Sequence, residues 1–255
     1  MTLSRMFEAT RARREIALIP YVTAGYPSLG ASLDFIAEAA DAGADAIEIG
    51  LPFSDPTADG PTIQFASHQA LDGGFKTRAF LEALGAASRA CPLILMTYVN
   101  PLLAMGSTAF KTLAKAGFSA AVIPDLAEDE ALSMSEAAAQ AGIDLVLLVA
   151  PTSSDERLRL IGSRSRGFVY AVSVVGTTGA RRDADPTLPE FLGRIRAHTT
   201  LPVVAGFGLS HPSHVEAIHE HADGAIVGSR LVDAIRQGDD FAALIRSFKQ
   251  ATRRH

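Results

Sequence analysis

The 255-residue chain carries 23 Lys and Arg against 28 Asp and Glu, a formal net charge of −5, and so offers no cationic footprint for nucleic acid or an anionic membrane surface. Apolar residues make up 48% and charged residues 20%, a balance that excludes long disordered segments and leaves enough apolar surface for a large core. The single cysteine, Cys91, excludes an internal disulfide framework and fits a reducing, cytoplasmic setting.

Residues 1–14 mix Arg, Glu and Phe without a continuous apolar core, so they read as a short amphipathic helix and neither a secretion signal nor a membrane span. Apolar runs at 17–23, 44–50, 93–98, 120–124, 144–150, 167–173, 202–205 and 224–227 predict eight strands. Helical periods fall between them at 32–41, 77–90, 107–116, 128–141, 154–163, 188–197 and 212–221, and 239–252 closes the chain. Gly43, Gly117 and Gly142 each follow a helical stretch and introduce a strand, as a left-handed residue after a last helical turn would. Near-continuous apolar strands alternating with helices predict parallel pairing with both faces covered, closed into a (β/α)8 TIM barrel with an extra N-terminal helix. No composition break divides residues 1–255, which read as a single barrel domain. Two connections exceed the regular beat, 51–76 after strand two and 174–186 after strand six, and both belong to the C-terminal face where barrel active sites are built.

The stretch 45–64 holds two carboxylates that need explaining. Alternation along strand two puts Ala46, Glu48 and Gly50 on one side and Ile47 and Ile49 on the other; with the isoleucines against the helices, Glu48 faces the barrel interior. A buried carboxyl has its ionised form disfavoured and its pKa raised. Asp59 lies in a Pro- and Gly-rich segment read as a solvated loop, where a carboxylate stays charged, so the pair is set to divide acid and base roles. Asp before Gly or Pro is also ordinary turn chemistry, which leaves Asp55 and Asp59 equal candidates for structural duty.

Small-residue turns at Gly176–Gly179, Gly206–Ser210 and Gly228–Arg230 form a second constellation. Those after strands seven and eight can converge backbone N–H groups and a helix dipole on a phosphate. Tyr170 on strand six either lines the cavity or packs. His211, His214, His219 and His221 are spaced poorly for a metal and read as a polar helix face; no metal site is expected.

The run Glu48-Ile49-Gly50-Leu51-Pro52-Phe53-Ser54-Asp55-Pro56-Thr57-Ala58-Asp59-Gly60-Pro61-Thr62-Ile63-Gln64 resembles the signature of the tryptophan synthase alpha subunit family. The likeness extends through residues 19–27, Met96-Thr97-Tyr98-Val99-Asn100-Pro101, Pro124-Asp125-Leu126, Gly176 to Gly179, Gly206-Phe207-Gly208 and Gly228-Ser229. It implies retro-aldol cleavage of indole-3-glycerol phosphate to indole and glyceraldehyde 3-phosphate, without metal or organic cofactor in this chain. By the same resemblance Glu48 is the general acid/base and Asp59 the carboxylate that accepts the indole N–H. Tyr170 lines the site near Glu48, Thr178 contacts Asp59 on loop closure, Gly179, Gly208, Gly228 and Ser229 bind phosphate, and Tyr21, Leu95 and Phe207 flank the indole.

Asp55, Pro56, Asn100 and Pro101 sit where the family meets its beta subunit, which carries pyridoxal phosphate and consumes the indole in an αββα tetramer. Ala127, Thr177 and Gln69 depart from the family's common Pro, Val and Arg, which bears on loop closure and coupling to the partner and removes no proton-transfer group. The alternatives are a free-standing indole-releasing lyase, a non-catalytic activator of a beta subunit, and another phosphate-binding barrel. The last usually needs a Lys or Cys at a strand end, where this chain shows carboxylates.

Overall fold

In the computed structural model, which describes residues 2–87, 91–126, 131–172, 187–206 and 208–254, helix α1 (Leu3–Ala12) precedes strand β1 (Ala17–Thr23). The chain continues through α2 (Leu29–Asp41), β2 (Ile47–Gly50), α3 (Pro61–Asp72), α4 (Thr77–Ala86), β3 (Leu93–Met96), α5 (Val99–Ala104), α6 (Ala109–Lys115) and β4 (Phe118–Val122). Next come α7 (Ala131–Gln140), β5 (Asp144–Val149), α8 (Asp155–Arg164), β6 (Val169–Val172), α9 (Leu188–Arg196) and β7 (Val203–Gly206). The chain ends with α10 (Pro212–Glu216), β8 (Gly224–Val227), α11 (Ser229–Gln237) and α12 (Phe241–Gln250). Each strand pairs parallel with its sequence neighbour, and β8 returns to β1 with Ala17 opposite Gly224, which closes the barrel. The expected (β/α)8 TIM barrel is the observed fold.

Two apolar layers follow from strand alternation. Ile47, Ile49, Leu93, Leu95, Leu145 and Val203 point outward into the layer shared with the helices. Ala17, Ile19, Ala46, Ile94, Val122, Phe168 and Tyr170 fill the barrel itself. Helix α1 plugs the N-terminal end, presenting Leu3, Met6 and Phe7 at helical spacing, with the Phe7 ring edge-on to Phe168 at 6.1 Å. Burying each of these side chains contributes about 1.5–3 kcal/mol.

Beside that plug, Asp45 ties four elements together. Its carboxylate accepts from the Leu18 N–H at 2.8 Å and pairs with Arg13 at 2.6 Å and Lys249 at 2.7 Å. Lys249 and Arg13 also hold Glu15, each at 2.9 Å, so the ends of α1 and α12 are pinned to the starts of β1 and β2.

The expected long connection at 51–76 is only partly a loop. Its second half is α3, which starts with Pro61 at the first helical position, where a missing N–H costs nothing, and buries Ile63, Ala66, Ser67 and Ala70 on one face. The strand expected at 93–98 stops at Met96, because Tyr98 is already the N-cap of α5. The other long connection, 174–186, lies outside the described residues.

Candidate active site

Glu48 stands opposite Tyr21 of β1 and Ile94 of β3, so two inward-facing strands flank it at the barrel's C-terminal end. It is 1% exposed, and its Oε1 is buried without a hydrogen-bond partner. A buried carboxyl oxygen without a partner is costly, and such groups concentrate where a ligand or a reaction supplies the missing partner.

The tyrosines around it are seated on glycines. A Cβ at Gly50 would lie 1.9 Å from the Tyr21 hydroxyl, and one at Gly206 would lie 2.4 Å from the Tyr170 ring. Both strand-end glycines therefore serve close approach of a ring, and Gly206, read from sequence as part of a turn, is the last residue of β7. Tyr170 is buried in the barrel beneath the site and both packs and lines it.

Asp59 is held from three directions. Its N–H donates to the Pro56 carbonyl at 3.1 Å, and Gln64 of α3 donates from Nε2 to the carbonyls of Asp59 at 2.9 Å and Pro56 at 3.3 Å. The Tyr98 hydroxyl accepts from the Ala58 N–H at 2.9 Å and donates to the Asp59 carboxylate. The expectation of a solvated Asp59 is corrected here. This packing removes water from Oδ1, which is buried and without a partner, and the carboxyl is accordingly pushed up to about 6 even though Tyr98 pulls it down. Glu48 is pushed up to about 8, first by burial and then by the nearby charge of Asp59. Burial, with Asp59 and Glu48 beside them, also raises the phenols of Tyr21 and Tyr170 well above their ordinary value. At neutral pH the site thus holds one carboxylic acid and one carboxylate close enough to feel each other, an arrangement that can protonate a carbon and stabilise a cation on the same substrate.

The loops after β7 and β8 sit at the same end. Gly208 has φ +77°, a left-handed conformation that suits glycine, and nothing lies within 4 Å of where its Cβ would be. Gly228 precedes α11 as its N-cap with no side-chain cap, and Gly228 and Ser229 are half-buried, which leaves the first N–H groups of that turn without a capping side chain.

Leu95 does not belong with these groups. It packs in the outer layer against the helices, while its neighbour Met96 clusters with Tyr21, Ile63 and Ala66 at the site's end of the barrel. Strand alternation forces this: Ile94 and Met96 face inward, so Leu95 cannot. Thr178, Gly179 and Phe207 lie outside the described residues, as do Ala127 and Thr177.

Loop residues 51–60 and the start of α5, which carry the residues expected to face a partner, touch through Phe53 and Tyr98, whose rings are 5.2 Å apart; Pro56 is buried and Pro101 half-buried. Asp55 and Asn100 are exposed, and Leu103 one turn further along α5 is 63% exposed.

The structure adds residues that the sequence reading passed over. Tyr98 and Gln64 shape the Asp59 loop, Met96 takes the place expected of Leu95, and Asp125 accepts from the Val99 N–H at 2.9 Å, capping α5. All four stand within the runs that carry the family resemblance; for Tyr98, Gln64 and Asp125 the signal is a polar side chain within reach of a helix start or a loop backbone group, and Met96 carries none. The histidines also depart from the expected polar face, since His214 and His219 are buried and bonded to backbone.

Comparison with known proteins places these features in a family. The family model "Tryptophan synthase alpha chain" matches residues 7–254. The tryptophan synthase alpha chain of Roseiflexus castenholzii is 44% identical over 235 residues, covering 91% of this chain and 90% of that protein. That of Thermosynechococcus vestitus is 41% identical over 255 residues, covering 98% and 96%. Among solved structures, a chain of Mycobacterium tuberculosis tryptophan synthase superposes with a TM-score of 0.93 at 40% identity, over 99% of this chain and 98% of that one.

Proposed function

This chain belongs to the tryptophan synthase alpha chain family, the indole-3-glycerol phosphate lyase subunit, and we propose that Glu48 and Asp59 divide the proton and charge work of that cleavage. The reaction splits indole-3-glycerol phosphate into indole and glyceraldehyde 3-phosphate. Glu48, as the carboxylic acid, gives its proton to indole C3. The positive charge that develops on the ring is met at N1–H by the Asp59 carboxylate. The Glu48 carboxylate then takes the proton of the glycerol hydroxyl next to the bond that breaks, the electron pair of that bond returns to the indole ring, and the aldehyde leaves. One proton enters at carbon and one leaves from oxygen through the same residue, which ends as the acid it began as.

The observation that carries this reading is the partnerless Glu48 Oε1 at 1% exposure, with the charge of Asp59 beside it. Tyr21, Met96 and Tyr170 wall the indole position, and by the family resemblance Phe207 flanks it, Thr178 meets Asp59 and Gly179 joins the phosphate contacts, all three outside the described residues. Gly208, Gly228 and Ser229 hold the phosphate, whose binding free energy fixes the scissile bond against Glu48. No metal or organic cofactor is needed in this chain for these proton transfers.

A beta subunit is the partner this family implies. The face bearing Asp55, Pro56, Asn100 and Pro101 is proposed as its seat, in an αββα assembly whose beta subunits carry pyridoxal phosphate and consume the indole. We place the assembly in the cytoplasm and read residues 1–255 as one barrel domain; no described helix is long and apolar enough to cross a membrane.

Glu48→Gln is the direct test. Indole release should fall by about 10² to 10⁴, the usual worth of a positioned acid or base, while the affinity for glycerol 3-phosphate stays within about twofold. Near wild-type indole release by the variant would reject the acid.

A further inference from the structure

We propose that His214 is a positioning residue for the phosphate end of the substrate, the buried post on which the Gly208 turn is hung; this rests on the reading of Gly208, Gly228 and Ser229 as the phosphate site. His214 lies in α10, just beyond the loop after β7, and is 2% exposed. Its Nδ1 lies 3.3 Å from the backbone nitrogen of Ser210, whose N–H donates to it, and 3.1 Å from the carbonyl oxygen of Gly208. With the proton on Nδ1 the ring donates to the Gly208 carbonyl, and with the proton on Nε2 it accepts from Ser210. Each tautomer thus bonds one end of the three-residue turn, Gly208 or Ser210, through the same buried ring atom.

The turn needs such a post. Gly208 is in the left-handed region at φ +77°, exposed, with no neighbour within 4 Å of its Cβ direction, so no packing at that position holds the conformation. Glycine pays a large conformational entropy cost when fixed, and a loop that must present an N–H to an anion binds weakly if it is ordered only on binding. Leu209, buried at 6% between Gly208 and Ser210, anchors the apolar side of the turn, and His214 anchors the polar side. Its Nδ1 faces the backbone of Gly208 and Ser210, so through that atom it acts on substrate by way of backbone geometry. His211 stacks edge-on against it at 5.3 Å and helps fix the ring plane.

The geometry separates His214 from a residue that merely fills space. Asn places an amide atom at the same distance from Cα as Nδ1, whereas Leu has similar bulk and no hydrogen bond. Calorimetric titration of the intact chain with glycerol 3-phosphate should therefore show about tenfold weaker binding for His214→Leu and recovery to within about threefold for His214→Asn. In steady state His214→Leu should raise KM for the indole glycerol phosphate about tenfold and leave kcat within about threefold. Wild-type affinity in His214→Leu, or no recovery in His214→Asn, would overturn the proposal. Should the Leu protein not fold, the wild type supplies the measurement. The Nδ1 resonance of His214 in ¹⁵N spectra should move on saturation with glycerol 3-phosphate, and an unmoved resonance would overturn it as well. Gly228→Asp, which has room for a Cβ and sets a carboxylate in the phosphate position, tests the underlying reading alone. If that protein binds glycerol 3-phosphate like wild type, the phosphate site itself is misplaced; if it loses binding while His214→Leu does not, only the role of His214 fails.

Discussion

Replacing Glu48 with Gln tests a buried charge as well as an acid. Burial, reinforced by the charge of Asp59, raises the folded-state pKa of Glu48 from an ordinary 4.5 to about 8. Unfolding returns the side chain to water, so between those two values the folded state binds a proton that the unfolded state has released. The folded pKa is the higher one, and the stability it confers is therefore present below pH 4.5 and is lost as pH rises through 8. At about 1.4 kcal/mol for each tenfold change in proton affinity, the whole span amounts to about 5 kcal/mol, of which about 4 kcal/mol falls between pH 5 and pH 9. Gln keeps the shape and has no proton to release, so this component vanishes. Urea unfolding of both proteins at pH 5, 7 and 9 should show the wild type losing about 4 kcal/mol relative to Glu48→Gln across the range. Parallel pH dependence in the two proteins would refute the burial argument, whatever the variant's activity.

Three further outcomes follow from the same geometry. Catalysis needs Glu48 protonated and Asp59 ionised, so kcat/KM for indole release should peak between an acidic limb near pH 6 and an alkaline limb near pH 8; a flat profile from pH 5 to 9 would contradict the pairing. Gly50→Ala drives a methyl group to within 1.9 Å of the Tyr21 hydroxyl in a fully packed wall, and should lower stability in thermal unfolding by about 1–3 kcal/mol along with indole release; an unchanged Tm would show that Tyr21 can move aside. Asp45→Asn, which strips Arg13 and Lys249 of a shared carboxylate, should cost about 3 kcal/mol in urea unfolding while leaving KM unchanged, because the cluster lies at the opposite end of the barrel from Glu48; a raised KM would show that the two ends communicate.

The inward aim of Glu48 was readable because β2 alternates in kind. Isoleucines on one side and a small residue, an acid and a glycine on the other leave only one way to face the core. β3 offers no such contrast. Leu93, Ile94, Leu95 and Met96 are all apolar, as expected of a parallel strand buried on both faces, so nothing in the letters says which pair faces the cavity, and the family resemblance points to Leu95 where the structure has Met96. The burial of Asp59 was hidden for another reason. It depends on Gln64 and Tyr98 folding the loop inward, and Tyr98 is 39 positions away along the chain, out of range of any local pattern. Helix α3 was hidden by its own start signal, since Pro61 beside Gly60 reads equally well as a turn and as the first helical position.

The rings seated on glycine at Gly50 and Gly206 also constrain how such a pocket can change over time. With Tyr170 in place, a side chain at Gly206 has nowhere to go, because the ring that it would strike is 2% exposed and held by the barrel interior. The tyrosine can be replaced first by a smaller residue, after which the glycine is free to gain a methyl group. From that point the tyrosine cannot return until the glycine does. The order of substitution is thus fixed, and each pair works as a ratchet: variants that deepen the floor of the pocket start at the ring, and those that begin at the glycine are lost before the ring can yield.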